Sequence, residues 1–282
     1  MPRKVIEPIS IESFDYLENN LQEYIDLFKK EAIIVFRGFK FSREQQLTIT
    51  RSFGDHVNWY PNSNTPIETF WPYEENHSFS MSTWGRNDVA KDEYLLLWHI
   101  EHMGHENPAI GATWNMEKFS CERDAGSTLF VNVSDVYDTF SEEDTSFLKK
   151  CEVSAIQYWD KPESEKQQPA THQAVELYEP SGRYALRLNA VFKYGEDSFY
   201  LERFEGRKPS EEENKRFYEL ALEFTKLVHF DEDLQQIHLW EENDLVVVDL
   251  FLMAHAVFGG FKSSERSFYG MWAHRRLGSK YD

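Results

Sequence analysis

His99 and Glu101 stand two residues apart at the end of an apolar run, Leu95-Leu-Leu-Trp-His-Ile-Glu101. In a β-strand, residues i and i+2 point to one face, so this imidazole and this carboxylate would converge on one point. A third donor must come from elsewhere. His255 is the candidate, in Met253-Ala-His-Ala-Val257 after the apolar run 245–249. Two imidazoles and one carboxylate on one face of an octahedron leave three positions open. Non-haem iron(II) oxygenases use that arrangement, because co-substrate and oxygen both need places on the metal. Alone, a His-x-Glu pair is a weak signal that arises by chance in many chains.

A competing arrangement uses His99, His102 and His105, which recur at steps of three. On a helix those could build a zinc site. Gly104 and Pro108 disfavour a continuous helix there, and the preceding residues read as strand. His102 and His105 are instead expected on a loop near the metal, either as loop hydrogen-bonding residues or as part of a substrate pocket.

The elements that must hold these donors read mostly as short strands. Apolar or alternating runs cover residues 32–37, 94–98, 111–114, 128–133, 152–159, 174–178, 185–189, 237–240, 245–249 and 267–272. Three helices are expected. Phe14, Leu17, Leu21, Ile25 and Phe28 form one stripe at steps of three and four. Ser42 with Gln45 is a capping box opening a second helix that Gly54 ends, and Ser210 with Glu213 opens a third. Many short strands with few intervening helices predict a mainly β fold with flanking helices. The fitting core is a double-stranded β-helix, or jelly roll, with the helices packed on one outer face. No repeat, low-complexity tract or linker divides the chain, so residues 1–282 are expected to form one domain.

Composition limits the partners. The 282 residues carry a formal net charge of −19, which should repel nucleic acid and acidic membrane surfaces. Neither of the two cysteines, Cys121 and Cys151, sits in a zinc-ligand spacing, and a reducing cytoplasm is the expected setting. No stretch has the length and apolar character of a signal peptide or a membrane span. Assembly of identical copies is left open.

An ordered series of motifs resembles the taurine dioxygenase-like (TauD/TfdA-type) branch of iron(II)/2-oxoglutarate oxygenases. It runs from Ile33-Ile-Val-Phe-Arg-Gly38-Phe and Phe53-Gly54-Asp55 through Trp98-His-Ile-Glu101, Pro108, Gly111 and Gly126-Ser-Thr-Leu-Phe130. It continues with Pro180-Ser-Gly-Arg-Tyr-Ala-Leu186, Asn189 and Trp240-Glu-Glu-Asn-Asp-Leu-Val-Val-Val-Asp249, and closes on His255 and Arg266. The resemblance implies that His99, Glu101 and His255 hold iron(II). It implies that Thr128 contacts 2-oxoglutarate through its hydroxyl and that Arg266 pairs with the distal carboxylate. A guanidinium fork suits a carboxylate bidentately.

Two positions depart from the family's common pattern. Glu101 stands where most of the branch has aspartate, although relatives similar to clavaminate synthase also use glutamate. Halogenating relatives carry alanine or glycine there, so a carboxylate implies hydroxylation or desaturation. Gly270 stands where sulfonate-binding members carry a second arginine four residues after the first, so taurine is not the expected substrate.

The implied reaction consumes molecular oxygen and 2-oxoglutarate, releases succinate and carbon dioxide, and oxidises an unactivated C–H bond. The substrate is expected to be a small metabolite, with an amino acid or amine derivative preferred, and desaturation of an amino-acid-derived compound is the alternative. Trp59 in His56-Val-Asn-Trp-Tyr60, His102, and Arg187 in Ala185-Leu-Arg-Leu-Asn189 are candidates for the substrate pocket. The competing role for Arg187 is an outward salt bridge. Outside this class stand a zinc hydrolase and a catalytically silent jelly-roll binding module.

Overall fold

The structure is a computed structural model, and it describes residues 3–53, 55–57, 90, 93–101, 110–155, 170–189, 199–262 and 264–274. Along the chain run β1 (Lys4–Val5), β2 (Ile9–Ser10), α1 (Phe14–Asn19), α2 (Leu21–Glu31), β3 (Ile33–Arg37), α3 (Arg43–Phe53), β4 (Asp55–Val57), β5 (Tyr94–His99), β6 (Gly111–Phe119) and β7 (Thr128–Asn132). There follow α4 (Val133–Thr139), α5 (Glu142–Leu148), β8 (Cys151–Ala155), β9 (Ala170–Gln173), β10 (Val175–Tyr178), β11 (Arg183–Leu186) and β12 (Phe199–Phe204). The last are α6 (Glu211–Phe230), β13 (Gln235–His238), β14 (Leu245–Asp249), β15 (Met253–Phe258) and β16 (Arg266–His274).

Two sheets make the jelly roll. One has six strands in the order β2-β3-β14-β6-β16-β4, the other five in the order β1-β13-β7-β15-β5. A three-stranded sheet, β12-β8-β9, and the hairpin β10-β11 accompany them. The six-stranded sheet is buried on both faces, which explains why β3 and β14 read as continuous apolar runs. Leu245 pairs with Phe36 and Val247 with Ile34, and all four join Leu17, Tyr24, Phe28 and Ile49 of α1, α2 and α3 in an outer core. The alternate residues Ile33, Val35, Val246 and Val248 belong to the inner core, with Trp114, Leu129 and Phe130. Side chains on a strand alternate faces, so a single run serves both layers.

The helices divide between two places rather than lying on one outer face. The first three pack on the six-stranded sheet, whereas α4 packs against β7 and β11, and α6 against β5 and β12. The expected first helix is two, because Asn20 interrupts it. Its backbone leaves helical geometry and its Nδ2 donates to the Tyr16 carbonyl at 2.7 Å, a local bond that competes with the helix. Both expected capping boxes form. Gln45 Oε1 accepts from Ser42 N at 2.8 Å, and Glu213 Oε2 accepts from Ser210 N at 2.7 Å. Strand β8 ends at Ala155, and residues 156–159 of the longer expected strand lie outside the described residues, as does Gly54. Among the described residues, no helix is long and apolar enough to cross a membrane.

Candidate metal centre and acid pocket

The first donor sits at the end of an edge strand. His99 closes β5, and its Cα partner in the ladder is His255 of β15. The two imidazole centroids are 4.2 Å apart. Beyond this pair the strand stops and Glu101 lies in a turn. Its Oε2 stands 3.6 Å from His99 Nε2 and 3.5 Å from His255 Nε2. All three donor atoms lie within 4.8 Å of one another.

The tautomer of His99 is set locally. Its Nδ1 lies 2.7 Å from the Leu97 carbonyl, so that nitrogen carries the proton and Nε2 presents its lone pair. Burial depresses the His99 pKa, but the Glu101 carboxylate outweighs it and the net shift is upward. His255 is pushed down by burial and by His99, against the pull of Glu101. Donors about 2.1 Å from one octahedral ion are about 3 Å apart, and the 3.5 and 3.6 Å separations of Glu101 Oε2 from the two imidazoles are close to that spacing. The donor set suits a hard-to-borderline divalent ion such as iron(II).

His255 owes its place to the turn before β15. Asp249 Oδ1 accepts from Phe251 N and Leu252 N at 2.8 and 3.0 Å, and the Tyr178 hydroxyl donates to Asp249 Oδ2. Burial raises the Asp249 pKa to about 6 against these donors. The His255 ring packs 5.2 Å from Trp114 and 6.2 Å from Phe130.

Two residues along β7 from Phe130 lies a different kind of site. Phe130 pairs with His255 and Thr128 with Val257, a separation of about 7 Å at the strand rise. Here Arg266 opens β16 with only 1% of its surface exposed. Three aromatic rings surround it: Phe261, Phe268 and Trp240, with centroids 5.3, 5.4 and 5.5 Å from Cζ. Its Nη2 reaches Thr128 Oγ1 at a long 3.5 Å, while Nε and Nη1 meet no hydrogen-bond partner among the described residues. Burial lowers the Arg266 pKa to about 10, which leaves it protonated at neutral pH. A buried charge with no counter-charge among the described residues is costly, and an anion bound beside it would offset that cost.

Thr128 is aimed by its neighbours. Its Oγ1 accepts from Trp240 Nε1 at 2.9 Å and faces Arg266 Nη2. With both lone pairs turned to donors, its own proton is free to point at an incoming acceptor. Trp240 is held in turn by His238, whose ring packs edge-on at 4.4 Å. His238 Nε2 lies 3.1 Å from Asp244, onto which Arg37 forks through Nε and Nη2 at 2.7 Å each. Burial raises the Asp244 pKa, yet Arg37 and His238 outweigh it and leave it below the usual carboxylate value. Single-residue motifs did not reveal this supporting chain, because its members are 37, 238, 240 and 244.

Among the other expected site residues, Trp59, His102 and His105 lie outside the described residues. Arg187 follows β11, is 1% exposed, and donates from Nη1 to the Phe251 carbonyl at 2.9 Å. Its guanidinium covers the Phe251 ring at 4.3 Å. Asn189 had no assigned role in the sequence, and its Oδ1 accepts from Ile100 N, between His99 and Glu101, at 2.9 Å. At Gly270 an added Cβ would stand 2.7 Å from the Trp272 ring, so that indole covers the position where sulfonate-binding relatives carry arginine.

Comparison with known proteins follows the same lines. The model of the taurine catabolism dioxygenase TauD, TfdA family matches residues 4–272. The crystal structure of AAD-2 in complex with Mn(II) and N-oxalylglycine superposes with a TM-score of 0.67 at 16% identity, covering 98% of this chain and 96% of that one. A taurine dioxygenase from Burkholderia xenovorans superposes with a TM-score of 0.62 at 13% identity, covering 98% of this chain and 90% of the other. At such identities these two share the fold. No curated protein matches the sequence.

Proposed function

This chain belongs to the taurine catabolism dioxygenase TauD, TfdA family, and on that premise we propose that it hydroxylates an unactivated C–H bond of a small metabolite, an amino acid or amine derivative being the preferred class. It is a 2-oxoglutarate-dependent non-haem iron dioxygenase, with iron(II) as its metal and molecular oxygen as a reactant. In this reading His99, Glu101 and His255 hold the iron, and Thr128 and Arg266 hold the distal carboxylate of 2-oxoglutarate. Bound iron(II) supplies the redox chemistry that couples loss of carbon dioxide from the co-substrate to oxidation of the C–H bond.

The observation that carries the reading is the buried guanidinium of Arg266, whose Nε and Nη1 have no hydrogen-bond partner among the described residues, together with the three-donor face of His99, Glu101 and His255. The spacing also fits. A five-carbon diacid spans roughly 5 Å from end to end at bond lengths of about 1.5 Å, comparable to the two-residue step between Thr128 and Phe130. The rings of Trp240, Phe261 and Phe268 around Arg266 make an apolar surrounding that would strengthen its ion pair with a bound carboxylate. Desaturation of an amino-acid-derived compound uses the same residues and stands as the second reading. Trp59, His102 and Arg187 remain the proposed contacts for the substrate.

The test is an anaerobic spectrum of the protein with iron(II) and 2-oxoglutarate. A weak visible charge-transfer band is expected from the chelate. Neither a zinc hydrolase nor a silent binding module gives such a band, so its absence would remove the reading. A succinate-release screen then addresses substrate charge. Sulfonates are expected not to stimulate 2-oxoglutarate turnover, because Gly270 offers no cation and Trp272 fills the space above it. Efficient turnover of taurine would overturn that expectation.

A further inference from the structure

The ladder that positions His99 stops one residue short of fixing Glu101. His99 pairs with His255, and no strand among the described residues pairs with Ile100. Among the described residues strand β5 is also the edge of its sheet, where backbone groups meet no neighbouring strand. Ile100 is 2% exposed, so its N–H cannot turn to water, and a buried amide without an acceptor is destabilising. Asn189 meets this need, its side-chain carbonyl accepting the Ile100 N–H at 2.9 Å.

The segment that delivers Asn189 is itself anchored. Arg187 N donates to the Ala174 carbonyl at 2.8 Å and Leu188 is wholly buried. Through its side chain, Arg187 holds the Phe251 carbonyl in the turn leading to β15. Residues 187–189 therefore touch the residue after β5 and the turn before β15, one through each polar side chain.

We propose that Asn189 is a positioning residue of the metal centre, its carbonyl acting as a clamp on the Ile100 peptide that sets where the Glu101 carboxylate stands between the two imidazoles. The proposal rests on the reading that His99, Glu101 and His255 bind iron(II). Glutamate makes the clamp matter more than aspartate would, because its extra methylene adds a torsion that must be frozen when the metal binds. A fixed peptide does not freeze that torsion but removes the backbone freedom that would add to it, as outer partners of metal ligands do.

Anaerobic iron(II) binding to wild type, Asn189→Leu, Asn189→Asp and His255→Ala tests this, together with hydrogen exchange at the Ile100 amide of the wild type. Asn189→Leu is expected to bind iron roughly 10–100-fold more weakly, the range for outer partners of metal ligands. Asn189→Asp keeps an acceptor oxygen in place and is expected to recover most of that loss, as acceptance of the Ile100 N–H requires. The Ile100 amide is expected to exchange slowly. Wild-type affinity in Asn189→Leu, or an equal loss in Asn189→Asp, overturns the clamp. So does fast exchange at Ile100, which reads on the wild type whether or not the leucine variant folds. Failure of the wild type to bind iron, or full binding by His255→Ala, instead overturns the three-ligand reading and the clamp with it.

Discussion

Replacing His255 with alanine is expected to abolish iron-dependent turnover. The structure leaves no substitute donor within the cluster, since His99, Glu101 and His255 are the group among the described residues whose donor atoms converge. The loss in iron affinity should exceed the roughly 10–100-fold typical of outer partners. Removing the ring also leaves space beside Trp114 and Phe130, and large-to-alanine changes in cores cost roughly 2–5 kcal/mol. That is a sizeable part of the roughly 5–15 kcal/mol that holds a domain together. His255→Gln keeps most of the volume and separates the two effects: turnover should vanish in both variants, while the fall in Tm should be smaller for glutamine. Anaerobic iron titration and a thermal melt of each protein provide the measurement. Wild-type iron affinity in His255→Ala would sink the assignment.

Arg266→Ala is expected to weaken 2-oxoglutarate binding roughly ten- to hundredfold and leave iron affinity nearly unchanged. Hydrogen bonds to charged groups are worth roughly 1.5–3 kcal/mol, and about 1.4 kcal/mol is a factor of ten. Arg266→Lys should recover only part of this, because a point charge replaces two fixed donors. Thr128→Val should cost less than the alanine change at 266, since it removes one neutral donor. The same geometry predicts an opposite effect on the protein without co-substrate. Arg266 is buried among Trp240, Phe261 and Phe268 with no counter-charge among the described residues, so an apolar replacement such as Arg266→Met should raise Tm. Addition of 2-oxoglutarate or N-oxalylglycine with metal should raise Tm in the wild type and much less in that variant. The anaerobic charge-transfer band as a function of 2-oxoglutarate decides the first part. Unchanged co-substrate affinity in Arg266→Ala would show that the carboxylate is held elsewhere.

How much of this was legible depended on the range of the interaction concerned. The capping boxes at Ser42 and Ser210 involve residues three apart, and both formed as read. The apolar runs at 32–37 and 245–249 were read as strands, and the structure adds that β3 and β14 are buried on both faces. Strand β15 was missed although it carries His255. Its sequence, Met-Ala-His-Ala-Val-Phe, has few strong strand formers, and pairing with β7 on one side and β5 on the other makes it a strand. The long first helix was read across Asn20 because its apolar stripe keeps step there, while a single side-chain bond to Tyr16 breaks the backbone.

The sequence by itself determined the chemistry available: two imidazoles, one carboxylate, a threonine and an arginine in an order that resembles one family. Residue type fixes what an atom can donate, accept or ligate, and motif order needs no coordinates. The tertiary structure decided which of these groups meet. It alone showed that Arg266 is buried with Nη2 reaching Thr128 and with Nε and Nη1 unpartnered among the described residues, that Trp240 donates to the Thr128 hydroxyl, and that Asn189 holds the Ile100 amide between His99 and Glu101. Those are contacts across 138, 112 and 89 residues of chain, formed only when two sheets close on a shared core. Burial and hydrogen-bond satisfaction belong to the packed fold, and local spacing carries no record of them.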